Sequence, residues 1–406
     1  MHAYLNLLLK HPREIGFGLF LTFVASFGQT YFIAVFGAEL RAAFGLTSGG
    51  FGSVYSAATL ASALTLVQLG RVVDRWSGGR CALLAIAGLA AGTLLLALSH
   101  HVVLLGLALY LLRLSGQGMM VHIALTTLAR RFSVERGRAV GAATLGVAAG
   151  EMLFPPLGVA VLELGWRTGW ALFALVLLLA AAPLALWLGR SFAAPQAAQG
   201  GTGAAADAGW SRAQVLRDGR FWLMLPGLLA PAIIITGVFF HQVVLVSEKG
   251  WSLATFASSF SFYALAAVGG SLVAGAMVDR LGATRMLPLL PLFQVAALVL
   301  LAFASSPLLA FVSMALMGGG NSAQSTTVNA LWPELYGTRH LGAIRAMAGA
   351  LMVFGSALSP ASFGLVLDAG LGMSSLLLGS AVFGLAGAGL FLVALRRPPL
   401  AAAQRR

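Results

Sequence analysis

The chain is poor in charge. Asp, Glu, Lys and Arg make up 9% of its 406 residues, against roughly a quarter in an ordinary water-soluble domain. Acids are the scarcer sign, 12 against 25 Lys and Arg, for a formal net charge of +13. A single cysteine, Cys81, excludes an intrachain disulfide and a cysteine metal cluster, and is expected to pack. Met119 and Met120 precede His122 too closely for the i, i+4 spacing of a helical metal site, so no metal is expected. No nucleophile–base spacing joins Cys81, His122 and His241, which argues against an enzyme. The absence of a GxxxxGK[ST] phosphate loop leaves an ion or solute gradient as the energy source and implies no cofactor.

What the chain has in excess is apolar length. It is 59% hydrophobic, with a mean hydropathy of +0.91. Apolar stretches of about 20 residues, the length that crosses a bilayer core as a helix, recur throughout. They cover 15–38, 50–70, 81–99, 102–129, 139–162 and 168–188, then 221–246, 253–277, 286–304, 306–330, 342–367 and 372–395. Glycine and alanine without strand alternation predict helices, because a backbone in lipid must satisfy its own hydrogen bonds. The fold class expected is an all-α membrane protein with twelve transmembrane helices in two pseudo-symmetric halves. The first fourteen residues run straight into the first span, which is expected to be its own insertion signal.

An even number of spans puts both termini on one side. That side carries twenty-one Lys and Arg, the other only Arg41, Arg167 and Lys249. Positive charge is retained inside, so both termini are expected in the cytoplasm and the chain in a bacterial-type inner membrane. The basic residues are spread over short loops, which explains the net charge without nucleic acid. The stretch "AAPQAAQGGTGAAADAG" interrupts the hydrophobicity. It divides the chain into a bundle over 1–188, a cytoplasmic linker over 189–220 and a second bundle over 221–406.

Shifting the sequence by 205 residues lays 45–80 on 250–285 without a gap, with eleven of thirty-six positions identical. This is an internal duplication. "GRVVDRWSGGR" (70–80) and its counterpart "GAMVDRLGATR" (275–285) resemble the cytoplasmic loop signatures of the major facilitator superfamily. "RLSGQG", from Arg113, is similar to that family's fourth-helix signature, and "GVAAGEMLFPPLG" (146–158) to its fifth-helix signature in exchangers. "TYFIAVFGAEL", "RGRAVGAATLGVAAG" and "GWRTGWALFAL" look most like bacterial monocarboxylate and oxalate–formate type carriers. The resemblance implies alternating access to a midplane site lined chiefly by helices 1, 4, 7 and 10, in a carrier working as a monomer in the lipid bilayer.

Gly70, Asp74, Arg75 and Arg80, repeated as Gly275, Asp279, Arg280 and Arg285, suit a cytoplasmic gate. Their acids can accept from arginines and from helix N-terminal amides; the alternative is a topological role alone. Arg113 and Glu151 are fixed-charge types deep in consecutive spans. They are expected to pair, either as a neutralised brace or as a coupling device in which Glu151 takes a proton and frees Arg113 to hold an anion. On an α-helical wheel Arg113 shares a face with Tyr110 and Gln117, whereas His122 points away and is expected to bond backbone. Gln29 and Tyr31 in the first span, His241 and Gln242 in the seventh, and Asn321 and Gln324 in the tenth complete the expected substrate contacts, with interhelical hydrogen bonding as the alternative. The expected function is secondary, proton-coupled transport of a small organic anion, such as a carboxylate. The alternative is proton-driven efflux of drugs or other amphiphiles. A channel is disfavoured, because the repeat yields unequal halves rather than rings of like charge.

Overall fold

A computed structural model describes residues 7, 9–132, 135–192 and 209–396, with the side chains of Arg71 and Asp74 outside the described set. Among the described residues there is no strand. The first long helix, α1, is broken into Pro12–Gly28 and Thr30–Phe44 with a 44° bend. It is followed by α2 (Ser48–Leu69), α3 (Gly78–Leu98), α4 (Val102–Arg131), α5 (Arg136–Leu162) and α6 (Trp166–Gly189). The second set is α7 (Gly219–Phe240), α8 (Leu253–Leu281), α9 (Ala283–Phe303), α10 (Pro307–Tyr336), α11 (Leu341–Asp368) and α12 (Met373–Arg396). Ten of these are long and apolar enough to span a membrane unaided, and broken α1 is an eleventh. The remaining α10 has 30 residues, about 45 Å at 1.5 Å each; its polar stripe is what lowers its hydropathy.

The duplication is written into the backbone. Ser48 and Leu253, Gly78 and Ala283, Leu98 and Phe303, Val102 and Pro307, and Arg136 and Leu341 open or close helices at positions 205 apart. Gly45 and Gly250 have φ of 61° and 65°, and Gly165 and Gly370 have 85° and 89°. Those left-handed turns are open to glycine at little steric cost, so the two repeats leave their helices in the same way.

Helix ends differ from the apolar spans for local reasons. The seventh span is not one helix: it turns at His241 and resumes as a short helix, Gln242–Lys249. The tenth continues past residue 330 because Leu331, Trp332 and Tyr336 are buried in a core with Phe221, Met224 and Phe391. Of the expected linker, 193–208 lies outside the described residues; Arg212–Arg217 is a short helix closed by a Ser211–Gln214 capping box.

Contacts divide the chain into two compact units. The first comprises α1–α6 together with Phe239–Val243 and Pro360–Asp368, so the ends of α7 and α11 pack with it. Its core includes an aromatic cluster from α1, α5 and α6: Phe27 and Phe32 meet Phe154 at 4.8 and 5.0 Å, and Phe36 meets Trp170 at 5.0 Å. Cys81 is fully buried, the packing role expected of it. In the second unit α8 and α9 both pack on α10, and α9 on α12.

One tightly constrained contact in the first unit is backbone to backbone. A Cβ on Gly116 would stand 2.7 Å from Gly28 Cα and 2.8 Å from its nitrogen. Neither backbone can retreat within a packed bundle. Gly116→Val is therefore expected to destabilise the protein by about 1–3 kcal/mol, read as a lower thermal midpoint, whereas Gly137→Ala, with nothing within 4 Å of the added carbon, should leave it unchanged.

Candidate substrate site

The break in α1 creates the acceptor that Arg113 uses. Ala25–Gly28 is a 3-10 turn and Gln29 is extended (φ −86°, ψ 149°), so the helical ladder stops there. The Gly28 carbonyl accepts from Arg113 Nη1 at 2.9 Å. The same nitrogen is 3.4 Å from Thr30 Oγ1, and Arg113 Nε donates to Thr59 Oγ1 at 3.2 Å. The guanidinium lies over the Tyr55 ring, 5.2 Å from its centroid, and the Tyr55 hydroxyl bonds Thr30 Oγ1 at 2.9 Å. Arg113 is 3% exposed. It starts a π-helical stretch of α4, Arg113–Met120, a widening that recurs at functional sites.

The expected Arg113–Glu151 ion pair is not formed: no nitrogen of Arg113 lies within 4.0 Å of the Glu151 carboxylate. Every acceptor around Arg113 is neutral, which sequence spacing alone could not reveal. Glu151 is half-buried on α5 without a hydrogen bond or ion pair among the described residues. It stands beside Gly150, whose own added carbon would reach Tyr31 Oη at 3.3 Å. Pro155, four residues on, has no amide proton for the Glu151 carbonyl.

The α-helical wheel also loses its phase across the π stretch. Gln117 is half-buried with no side-chain hydrogen bond, and Tyr110 donates to Thr65 Oγ1 at 3.0 Å rather than joining Arg113. His122 bonds the Gly70 carbonyl at 3.2 Å, the backbone role expected. Gln29 is half-buried, again without a side-chain bond, while Tyr31 is 5% exposed and donates to Ser26 Oγ at 2.9 Å.

Tyr55 and Thr59 were not foreseen. The signal that could have found them is the difference between the repeats: Tyr55 and Thr59 align with Phe260 and Ala264, which lack hydroxyls. Arg113 itself aligns with Gly318, which in the second unit packs against the Tyr263 backbone.

His241 and Gln242 serve packing in the first unit. His241 is 3% exposed and its Nε2 is 3.0 Å from the Pro360 carbonyl. Gln242 donates to the Tyr31 carbonyl at 2.9 Å. Nearby, the Ala361 amide donates to Ser56 Oγ at 3.2 Å and the Gly49 amide to Asp368 at 2.9 Å, stitching α2 to the end of α11.

The second unit carries its own polar cavity of about 160 Å³, walled by α7, α10 and α11. Asn321 and Gln324 line it, with Ser325, Asn329 and Arg345. Asn321 donates to Tyr263 Oη at 3.0 Å. Gln324 donates to the Gly227 carbonyl at 3.0 Å. That carbonyl lacks its helical donor because Pro231 stands four residues later, so an amide side chain replaces the missing bond. Arg345 reaches the Asn329 carbonyl at 2.7 Å; the charge bias had counted it only as a topological residue.

Among the described side chains, the residues of the expected gate are not joined to one another. Gly70–Asp74 is a 3-10 turn whose Val73 carbonyl accepts from Arg130 at 3.0 Å. The Asp74 side chain lies outside the described set; Arg75 and Arg80 are exposed. Gly275 has open space around it. Asp279, Arg280 and Arg285 are exposed and form no ion pair among the described residues. The helix-terminal amides expected to meet Asp279 are taken by Glu334. It accepts from Ala283 N at 2.9 Å and Thr284 Oγ1 at 2.6 Å at the start of α9, where a negative charge complements the helix dipole. Below α7, Asp218 accepts from Arg220 Nε at 3.0 Å and Tyr336 Oη at 3.1 Å in a buried cluster.

Membrane-length helices in two repeats, with charged side chains buried among them, define a multi-pass membrane protein. The family model described as Major Facilitator Superfamily matches residues 18–360 and 233–406. The chain belongs to that superfamily. No curated protein matches it in sequence. Among solved structures it is similar to a bacterial homolog of the human lysosomal transporter Spinster, in an inward-facing and unoccupied conformation: TM-score 0.74, 16% identity, 95% of this chain and 97% of that one covered. It is also similar to a variant of the nucleoside transporter NupG, with TM-score 0.71, 15% identity and coverage of 94% and 99%. These likenesses establish the fold.

The contrast at the start of α9 is testable. Glu334→Gln is expected to lower stability by about 1 kcal/mol, as loss of a helix-terminal charge does, whereas Asp279→Asn should leave the thermal midpoint in place.

Proposed function

We propose that the protein is a secondary active transporter of small organic anions, carboxylates in particular, working by alternating access in the inner membrane with both termini cytoplasmic. The observation that carries the reading is Arg113: 3% exposed, about eleven residues into α4 and held only by neutral acceptors. An arginine is permanently charged, and at that depth an uncompensated charge costs several kcal/mol. A substrate carboxylate supplies the missing countercharge at Nη2, the guanidinium nitrogen that has no acceptor among the described residues. Gly28, Thr30 and Thr59 hold the other two nitrogens in place, so the cation is oriented before the anion arrives.

Proton coupling in this reading belongs to Glu151, acting apart from Arg113. A carboxyl without a partner within a bundle is a natural proton carrier, and Pro155, which leaves the Glu151 carbonyl without a helical donor, gives α5 a place to flex. An acidic, aromatic pocket for cationic amphiphiles would be built around a carboxylate instead; efflux of such compounds is the competing reading.

The test is thermal stabilisation of the purified full chain by mono- and dicarboxylates, amino acids, sugars and cationic drugs at two pH values, with Arg113→Gln alongside. A carboxylate at a hundred times its Kd should stabilise the native protein by about 2.7 kcal/mol, with little effect on the variant. Stabilisation by cationic drugs that survives Arg113→Gln would sink the anion reading and favour efflux. Glu151→Gln should remove the pH dependence of carboxylate uptake into proteoliposomes while leaving carboxylate binding intact.

A further inference from the structure

The second unit holds an open space larger than the polar cavity. A groove of about 720 Å³ runs along α8, α9 and α10. Its α8 wall consists of residues from Ala266 to Leu281 at helical intervals along one face, with Gly269, Val273 and Met277 among them. Fifteen residues of helix correspond to about 22 Å, more than half of a hydrocarbon core about 30 Å thick. The groove exists because α8 and α9 diverge from their connection at Gly282 while both lie on α10. Gly270 draws α8 against the Gly319 backbone, so α10 forms the floor. Every lining side chain is apolar or absent except one: Arg285, at the end of the groove where α9 begins.

Arg285 is exposed and has no hydrogen-bond or ion-pair partner among the described residues. The acid that meets this loop, Glu334, is already engaged by Ala283 and Thr284. A long apolar channel open along the helices, ending in an unpaired cation where α9 begins, suits a lipid chain with an anionic head. We propose that this groove holds one acyl chain of an anionic phospholipid, with the lipid phosphate on Arg285. The apolar walls bind the chain, and the guanidinium selects the headgroup. Gly269 keeps the groove open, since an added Cβ there meets nothing within 4 Å.

The experiment uses the purified full chain in detergent supplemented with phosphatidylglycerol or phosphatidylcholine of identical chains. Bound lipid is counted by native mass spectrometry, and thermal midpoints are measured in parallel. The native protein should retain one phosphatidylglycerol in preference to phosphatidylcholine and be stabilised by it. Arg285→Ala should weaken phosphatidylglycerol binding about fivefold, the usual worth of one basic residue near an anionic lipid, leaving the two lipids equal. Arg396→Ala, a cation outside the groove, should leave the preference intact. Gly269→Phe, whose ring occupies the groove, should lose the bound lipid of either kind; Gly269→Leu serves if the phenylalanine variant does not fold. Equal retention of both lipids by the native protein would overturn the proposal. So would an Arg396→Ala effect as large as that of Arg285→Ala, which indicates general surface charge, or full lipid retention in the folded Gly269 variant.

Discussion

Arg113 keeps its place in an apolar bundle because α1 stops being a helix opposite it. The turn at Ala25–Gly28 releases the Gly28 carbonyl from the backbone ladder, and the guanidinium takes it. Each partner satisfies a need the other creates: a freed carbonyl in lipid requires a donor, and a buried guanidinium requires acceptors. The glycines make the approach feasible, since Gly28 and Gly116 leave no side chain between α1 and α4. The π stretch of α4, the tilt of Tyr55 toward the cation and the hydroxyls of Thr30 and Thr59 are consistent with that one contact. None of these partners carries charge, so the arrangement orients the cation without neutralising it.

A similar logic appears in the second unit with different groups. Pro231 leaves the Gly227 carbonyl without a helical donor and the Gln324 amide replaces it. Here the break is answered by a neutral side chain. The two units thus share helix boundaries and glycine turns but not chemistry. Gly318, at the position equivalent to Arg113, serves close packing of α10 on α8. Duplication supplied a scaffold, and substitution at a few inward positions made the halves unequal.

Much of this fold was legible along the chain. Helices of membrane length, their number and their pairing at a 205-residue offset follow from hydropathy and repetition, because lipid leaves the backbone few alternatives. Asn321 and Gln324 could be placed because α10 is regular between them and a polar stripe keeps its period. Gln117 could not be tied to Arg113, because a wheel assumes uniform pitch and α4 changes pitch between them, while Tyr110, in the α-helical part, bonds Thr65 on α2. His241 read as a site residue because, with Gln242, it forms a polar pair after the prolines and glycines that let the seventh span bend; its bond to the Pro360 carbonyl joins segments 119 residues apart, which no local pattern records.

Composition and periodicity therefore dictate the class of molecule: the solvent it occupies, the number of its helices and its origin by duplication. These are sums over many residues, and no single contact alters them. Tertiary structure decides which charges meet. Arg113 and Glu151 lie at similar depth on consecutive helices, yet the guanidinium turns to a backbone carbonyl 85 residues away and the carboxyl is left without a partner. Pairing depends on helix rotation and on where the backbone breaks, and both are set by packing between distant segments.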